Sequence, residues 1–167
     1  MAFTDPLTIR ITDFLQQIGL EILPASLAEQ TFLPGIMVAN GRLLVDESKL
    51  QFPGDLLHEA GHLAVAPREL RGNLSGEVNL EQENMEAIEV QAMAWSYAAL
   101  LYLKLEPEIV FHEGGYRGQS HQLRRTFELG CYPGANGLEK AGMTATGAAA
   151  SAMGVSPYPH MLKWLRA

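Results

Sequence analysis

The sequence contains a single cysteine and lacks any apolar run long enough to cross a membrane. Cys131 has no second cysteine to pair with, so an internal disulfide is excluded and a reducing, cytoplasmic setting is expected. The longest nearly apolar stretch, 92–103, is shorter than the roughly 20 residues that a bilayer-spanning helix needs. The N-terminal segment MAFTDPLTIR has an acid and a proline where a signal peptide has an apolar core. We therefore expect neither a membrane protein nor a secreted one.

Positive charge is also scarce. The chain carries 12 lysines and arginines against 19 acids, and this net charge of −7 argues against a nucleic-acid-binding protein. Between Gly72 and Leu103 there is no lysine or arginine at all, which is typical of a solvated acidic helix face and also fits a cationic partner. With 167 residues and 47% hydrophobic content, the chain is predicted to form one domain, 1–167, with a sizeable core.

Local signals near the N-terminus predict a helix and then a β-hairpin. The helix, over 6–18, is indicated by Asp5 as N-cap and by Pro6 at the first helical position. The hairpin is predicted over 36–46, because Asn40-Gly41 separates two apolar runs and supplies the two positive-φ residues of a type I′ turn.

Two further helices are predicted in the middle of the chain. The first runs over 55–66, with Asp55 as its N-cap and Pro67 as its stop. The second and longer helix runs over 80–105 and is closed by Pro107.

The last third is predicted to be less regular. It contains a glycine-rich loop, a short helix, a turn, and a stretch of small residues that is either helical or loosely ordered, over 111–118, 120–129, 133–137 and 141–156. Cys131 is interpreted as a small apolar residue, and the C-terminal side chains of Met161, Trp164 and Leu165 are expected to dock on the core. The chain is thus predicted to be an α+β protein with an N-terminal helix (1–19), a core (36–105) and a C-terminal cap (106–167).

One motif carries chemistry of its own, His58-Glu59-Ala60-Gly61-His62. Residues four apart lie on one face of a helix, so His58 and His62 present two imidazole nitrogens to one metal ion. Glu59 lies beside that face and can act as general base on a water. Zn²⁺ is the predicted metal because it favours nitrogen and carboxylate ligands. In a chain of this composition the pattern arises by chance about once in a hundred sequences. In the alternative interpretation, the two histidines cap or pack on an ordinary helix and bind no metal.

A catalytic zinc site needs a third protein ligand. Apolar residues of the 80–105 helix recur at spacings of three and four and define a core stripe: Met85, Ile88, Ala92, Trp95, Ala99 and Tyr102. At about 100° per residue, Glu89 lies roughly 80° from the centre of that stripe and Glu86 roughly 140°. Glu89 is therefore the predicted ligand and Glu86 is predicted to face solvent. His112 and His121 are the alternative third ligands.

The stretch LLHEAGHLAV, followed after a loop by EVQAMAWSYAALL, resembles the gluzincin-type zinc peptidases, most of all the small ImmA/IrrE-like metallopeptidases of bacteria and phages. The resemblance covers 36–103 and implies a zincin-like core whose hairpin belongs to a sheet above the active-site helix. It implies His58, His62 and Glu89 as zinc ligands and Glu59 as the base. The family often has Asp or Asn after its Glu-x-x-Ala pattern, where this chain has Met93, so no carboxylate that orients a ligand histidine is identified.

The glycine-rich loop FHEGGYRG adds further candidates. If it folds over the cleft, His112, Tyr116 and Arg117 can stabilise the oxyanion of peptide hydrolysis, and we include His112 and Tyr116 among the predicted catalytic residues. In the alternative interpretation the loop is a turn in which Gly114 and Gly115 take positive φ and the polar side chains face water.

These observations predict a cytoplasmic zinc metallopeptidase that acts on a protein or peptide, with no nucleic-acid or membrane partner. One alternative is a zincin-like binding module that keeps its metal but acts by docking a partner protein. The other is a structural metal site, which requires four protein ligands and would recruit His112 or His121.

Overall fold

The computed structural model of the chain describes residues 2–28, 31–76 and 85–167. Over these residues, helices are combined with one small sheet, which confirms the predicted α+β class. The strands are β1 (Ile22–Pro24), β2 (Ile36–Ala39) and β3 (Arg42–Val45). The helices are α1 (Pro6–Gln17), α2 (Asp55–Val65), α3 (Arg68–Arg71), α4 (Met85–Tyr102), α5 (Ser120–Glu128), α6 (Ala135–Lys140) and α7 (Gly147–Met153), with short 3₁₀ turns at Pro107–Ile109 and Tyr116–Gly118.

The start of α1 follows its sequence signals. The Asp5 carboxylate accepts a hydrogen bond from the Thr8 backbone N–H at 2.7 Å, and Pro6 is the first helical residue. The N-cap prediction for Asp5 is therefore confirmed. Buried side chains on one face of this helix join the core: Ile11, Phe14 and Leu15.

The sheet has the strand order β1-β3-β2. β2 and β3 are antiparallel, and Asn40 and Gly41 between them have φ of 50° and 73°, so the predicted hairpin is confirmed. β1 pairs with β3 in parallel. This three-residue strand was not predicted, because its residues are too few to establish a periodic pattern.

Direct packing of α2 on α4 places the candidate site. A Cβ on Gly61 would lie 2.8 Å from the Ala92 carbonyl oxygen, so only glycine permits this separation of the two helices. The Ser96 hydroxyl on α4 lies 3.1 Å from the Leu57 carbonyl oxygen of α2 and 2.7 Å from that of Ala92. The two helices are thus joined by close backbone approach and a polar contact, as well as by apolar packing.

The middle of α4, from Ala92 to Leu100, is buried on all sides, whereas the sequence predicts a single buried stripe. Every residue from Ala92 to Leu100 is buried, including Met93 and Tyr97 outside the stripe, whereas Tyr102 on the stripe is 65% exposed. A one-sided apolar stripe is expected only for a helix with one packed face, and this helix is enclosed by its neighbours. The predicted start of the helix at position 80 lies outside the described residues.

The last third is more helical than predicted. The short helix over 120–129 is confirmed by α5. The turn predicted over 133–137 forms at Pro133 and Gly134 but is shorter than predicted, because α6 begins at Ala135. The stretch of small residues over 141–156, predicted to be either helical or loosely ordered, contains the helix α7 over Gly147–Met153. Cys131, interpreted from the sequence as a small apolar residue, is exposed.

The C-terminal segment docks on the core as expected. Trp164 packs edge-on against Phe14 and Trp95, with ring centroids 5.0 and 5.6 Å away, and its carbonyl oxygen accepts a hydrogen bond from the Trp95 indole N–H at 2.8 Å. Met161 and Leu165 are partly buried against the same core. No helix in the described ranges is long and apolar enough to cross a membrane.

Candidate metal centre

The helix α2 presents the two histidines of the motif on one side. The Nε2 atoms of His58 and His62 lie 3.2 Å apart, and the two rings are nearly perpendicular, at 87°. Leu56, Leu57 and Leu63 on other sides of the helix are fully buried, so α2 is fixed against the core. This leaves both imidazoles aimed at one point.

The third member of the cluster, Glu89, comes from α4. Its Oε1 lies 3.4 Å from His58 Nε2, and its Oε2 lies 3.2 Å from His62 Nε2. Gly134 packs directly against the turn of α4 that carries Glu89. A Cβ on Gly134 would lie 2.0 Å from the Val90 carbonyl oxygen, so the contact requires glycine. Two packing contacts at glycines, one on each side of α4, therefore set the distance from Glu89 to the histidines.

The other proposed ligands do not join this cluster. Glu86 is exposed on α4, as predicted for a solvent-facing residue, and His121 is exposed on α5. His112 is buried and bonded to Asp55. Among the residues at 2–28, 31–76 and 85–167, the only His, Cys, Asp or Glu group that could hold a metal ion is His58, His62 and Glu89, with ligand atoms all within 4.8 Å of one another.

The chemistry of these three groups fits a metal ion. A neutral imidazole with its proton on Nδ1 offers only a lone pair at Nε2, and a carboxylate offers only lone pairs. The two Nε2 atoms and the two Glu89 oxygens face one another at 3.2 to 3.4 Å, and in this tautomer none of these four atoms carries a proton to share. A cation resolves this shortage, and two nitrogens with one carboxylate oxygen are the ligand set of many catalytic zinc sites.

The two histidines have different pKa values. Burial and the nearby charge of His62 lower the pKa of His58 to about 4, against the opposing charge of Glu89. Burial acts in the same direction on His62, but its hydrogen bond to Glu89 and the charges of Glu59 and Glu89 outweigh burial and raise its pKa. His58 is therefore the histidine more firmly held in the neutral form that a metal requires.

The pKa values of the two glutamates also differ, with Glu59 raised and Glu89 lowered. Burial raises the pKa of Glu59, and the charges of Glu89 and Asp55 add to this rise while His62 opposes it. Burial also acts to raise the pKa of Glu89, but its hydrogen bond to His62 and the charges of both histidines outweigh burial, so its pKa is lowered. Glu89 is thus the carboxylate suited to ligation, and Glu59 is the carboxyl suited to proton exchange.

Tyr116 contacts His58 at the ring nitrogen that does not face Glu89. Its hydroxyl is 3.5 Å from His58 Nδ1, and its ring packs edge-on against the imidazole with centroids 5.6 Å apart. Burial, with the charges of Glu89, Asp55 and Glu59, raises the pKa of this phenol far above its ordinary value, so it stays protonated. A protonated phenol next to the cluster can both accept from an imidazole N–H and donate to a ligand.

The backbone of the 111–118 loop is strained at Tyr116 and Arg117. Both residues have φ of 53°, in the left-handed region that costs a residue with a side chain about 1–2 kcal/mol. The turn interpretation predicts positive φ at Gly114 and Gly115, but neither glycine has it. The left-handed residues of the loop are Tyr116 and Arg117 instead. Arg117 itself is exposed, and its charge helps to lower the pKa of Glu89.

Asp55 is a residue of the site region that sequence reasoning assigned to a different role. The N-cap of α2 is Gly54, and no side chain caps this helix, so the N-cap prediction for Asp55 is wrong. Its carboxylate instead lies 2.8 Å from His112 Nε2, and both side chains are buried. The available signal was the position of Asp55 three residues before His58, which places both on one helix face.

One imidazole atom of the cluster has no partner. His62 Nδ1 is buried and makes no hydrogen bond to any described residue, and the same is true of His112 Nδ1. Met93, where the resemblance calls for an acid or amide, is buried in the core. A carboxylate behind His62 is thus absent from the described part of the chain.

Comparisons of this chain with protein-family models, with curated proteins and with solved structures find no significant match. The function therefore has to be argued from the chemistry of this cluster.

Proposed function

We propose that the protein is a zinc-dependent metallopeptidase. The observation that carries the proposal is the convergence of His58 and His62 from α2 with Glu89 from α4, at mutual distances of 3.2 to 3.4 Å. The three described ligands leave room for the open coordination position that distinguishes a catalytic zinc site from a structural one. A Zn²⁺ ion bound there would polarise the scissile carbonyl and lower the pKa of a water to about 7.

Glu59 is the proposed general base. It lies between the two histidines in sequence and is adjacent to them on α2, and burial raises its pKa, which makes the carboxylate a stronger base. In this role Glu59 takes the proton of the attacking water and delivers it to the leaving amine. The same carboxyl thus acts first as base and then as acid.

Tyr116 is the proposed donor to the negative charge that develops on the carbonyl oxygen. Its phenol stays protonated and lies beside His58, so its O–H can donate towards the cluster. His112 is bonded to Asp55 in this structure, so the proposal gives this donor role to Tyr116 alone. The proposed substrate is a peptide or protein, and the proposed setting is cytoplasmic, which the single cysteine favours.

Hydrolysis by the Glu59→Gln variant tests the proposal. The purified protein, supplied with one equivalent of Zn²⁺, is assayed on casein and on a set of quenched fluorogenic peptides. We expect Glu59→Gln to retain its zinc and to lose about 10²- to 10⁴-fold in kcat/KM, because only the proton transfer is removed. Glu86→Gln, which changes an exposed glutamate on α4, serves as the matched control and retains full activity.

Two results would contradict the proposal in different ways. Undiminished hydrolysis by Glu59→Gln would remove Glu59 from the base role. A wild-type protein that binds zinc but cleaves none of the peptides would favour the binding module instead.

A further inference from the structure

A second polar pair lies on the site face of α2, one helical turn before the ligands. Asp55 and His112 are 57 positions apart in sequence, and both are buried, with 2.8 Å between Asp55 Oδ1 and His112 Nε2. Asp55 precedes His58 by three residues and Glu59 by four, so the pair lies on the helix face that carries the cluster. Neither residue belongs to the group that could hold a metal ion.

The residues around His112 pack closely against its imidazole ring. The imidazole stacks on Phe52, with ring centroids 3.8 Å apart and planes 9° from parallel. A Cβ on Gly114 would lie 2.7 Å from the Phe52 ring, and one on Gly115 would lie 3.2 Å from the His112 ring. The two glycines thus let the backbone wrap around His112, and the bond to Asp55 fixes the wrapped loop to α2.

Tyr116 follows directly after this wrapped segment. Its left-handed backbone, shared with Arg117, is a conformation that the surrounding contacts must enforce. Beyond its contact with His58, its ring packs on Phe111, with centroids 5.5 Å apart. The anchor at Asp55 and the hydroxyl at His58 Nδ1 are therefore two contacts of one loop with one helix face, a single turn apart.

We propose that the buried Asp55–His112 pair is a positioning device that clamps the 111–118 loop onto α2 and thereby holds the Tyr116 hydroxyl at His58 Nδ1. An imidazole that presents its Nε2 lone pair to a metal carries its proton on Nδ1, and an acceptor at Nδ1 fixes this tautomer and the ring orientation. Tyr116 oxygen is that acceptor. The proposal rests on the proposed function in one respect only, that His58 is a metal ligand.

Zinc affinity measured on a double-mutant cycle tests this inference without any peptidase assay. The variants are Asp55→Ala, Tyr116→Phe and the double variant, each titrated with Zn²⁺ against a chromophoric chelator. Because loss of a partner behind a metal-ligating histidine typically weakens affinity 10- to 100-fold, we expect each single variant to raise the Kd by about that factor. The double variant is expected to be no worse than Asp55→Ala alone, because both changes remove the same contact.

Controls separate positioning from general destabilisation. Asp46→Ala removes another buried carboxylate that accepts local hydrogen bonds, far along the chain from the loop, and is expected to leave the zinc Kd unchanged. If Asp55→Ala fails to fold, the comparison of His112→Gln with His112→Leu replaces it. Glutamine keeps an N–H donor for Asp55 and should restore most of the affinity that leucine loses. The visible absorption of the Co²⁺-loaded protein should change in His112→Leu and return in His112→Gln.

Three outcomes bear directly on the inference. A zinc Kd that Asp55→Ala and His112→Leu leave unchanged would overturn it, even if the protein cleaves peptides. Additive losses in the double variant would also overturn it, because Asp55 and Tyr116 would then act independently. Equal, non-additive losses in a protein that cleaves no peptide would support the inference while the peptidase proposal fails.

Discussion

Asp46 after β3 and Glu89 on α4 are both carboxylates with a lowered pKa, but their surroundings differ. Asp46 accepts hydrogen bonds from the Leu27 backbone N–H at 2.9 Å and from the Ser48 hydroxyl at 2.6 Å, and Lys49 Nζ lies 3.7 Å away. Each of these three partners of Asp46 is a donor. Glu89, by contrast, faces two imidazole nitrogens that are acceptors in the form a metal requires.

This contrast separates a structural cluster from a candidate functional one. Around Asp46, the donors satisfy the carboxylate without any external group, which is the ordinary arrangement of a buried acid. The pKa of Glu89 is lowered as well, but by two histidines whose own pKa values diverge. The pKa of His58 is lowered to about 4 and that of His62 is raised. Divergent pKa values among neighbouring groups are typical of sites that bind ions or transfer protons.

The largest effect is expected from removal of Glu89. Because it supplies one of three ligands, Glu89→Ala should raise the zinc Kd by more than about 100-fold, or lower bound zinc below detection. Glu86→Ala, on the same helix but exposed, should leave the Kd unchanged. Both are measured by elemental analysis and chelator competition. Equal losses in the two variants would mean that the acidic character of the helix, and not a defined ligand, binds the metal.

The residues gathered at the site show how far sequence reasoning reaches. The 58/62 spacing and the position of Glu89 on its helix are local properties, so sequence alone could nominate these residues, although periodicity could not derive the contact between α2 and α4. The hairpin was equally accessible, because Asn40-Gly41 determines its turn. What could not be predicted is contact between segments distant in sequence. The bond from Asp55 to His112 and the placement of Tyr116 on His58 span 57 and 58 positions.

The errors have a common physical origin. The local position of Asp55 predicts an N-cap, whereas its partner in the structure, His112, comes from the 111–118 loop. Periodicity predicts a single buried stripe for α4 because it does not show how many neighbours a helix has. A helix enclosed on several sides loses its periodic signal, as the continuous burial from Ala92 to Leu100 illustrates.

A smaller effect is expected from widening the gap between α2 and α4. A Cβ on Gly61 would meet the Ala92 carbonyl oxygen, so Gly61→Ala should destabilise the fold by about 1–3 kcal/mol and also weaken zinc binding by moving Glu89 away from the histidines. Gly72→Ala is the matched control, since no atom lies within 4 Å of its added Cβ and its φ is −66°. Denaturant midpoints of the metal-free proteins measure the first effect. Chelator competition measures the second effect, and an unchanged zinc Kd in Gly61→Ala would show that the separation of the two helices does not set the site geometry.

The smallest expected effect is the pH dependence of the stability that Asp46 contributes. Hydrogen bonds from Ser48 and from the Leu27 N–H hold the pKa of Asp46 below its ordinary value of 3.8. A carboxylate with a lowered folded-state pKa adds stability that is fully present above the unfolded pKa and is lost as pH falls through the folded one. Asp46→Asn should therefore lower the melting temperature at pH 7, and its deficit relative to wild type should shrink as the pH is taken below about 4. Thermal melts across this range measure the deficit, with zinc omitted so that only the donor-satisfied cluster contributes to the difference. A deficit that stays constant down to pH 2 would show that Asp46 stabilises the hairpin by packing and not by its charge, and the contrast with Glu89 would then lose its electrostatic basis.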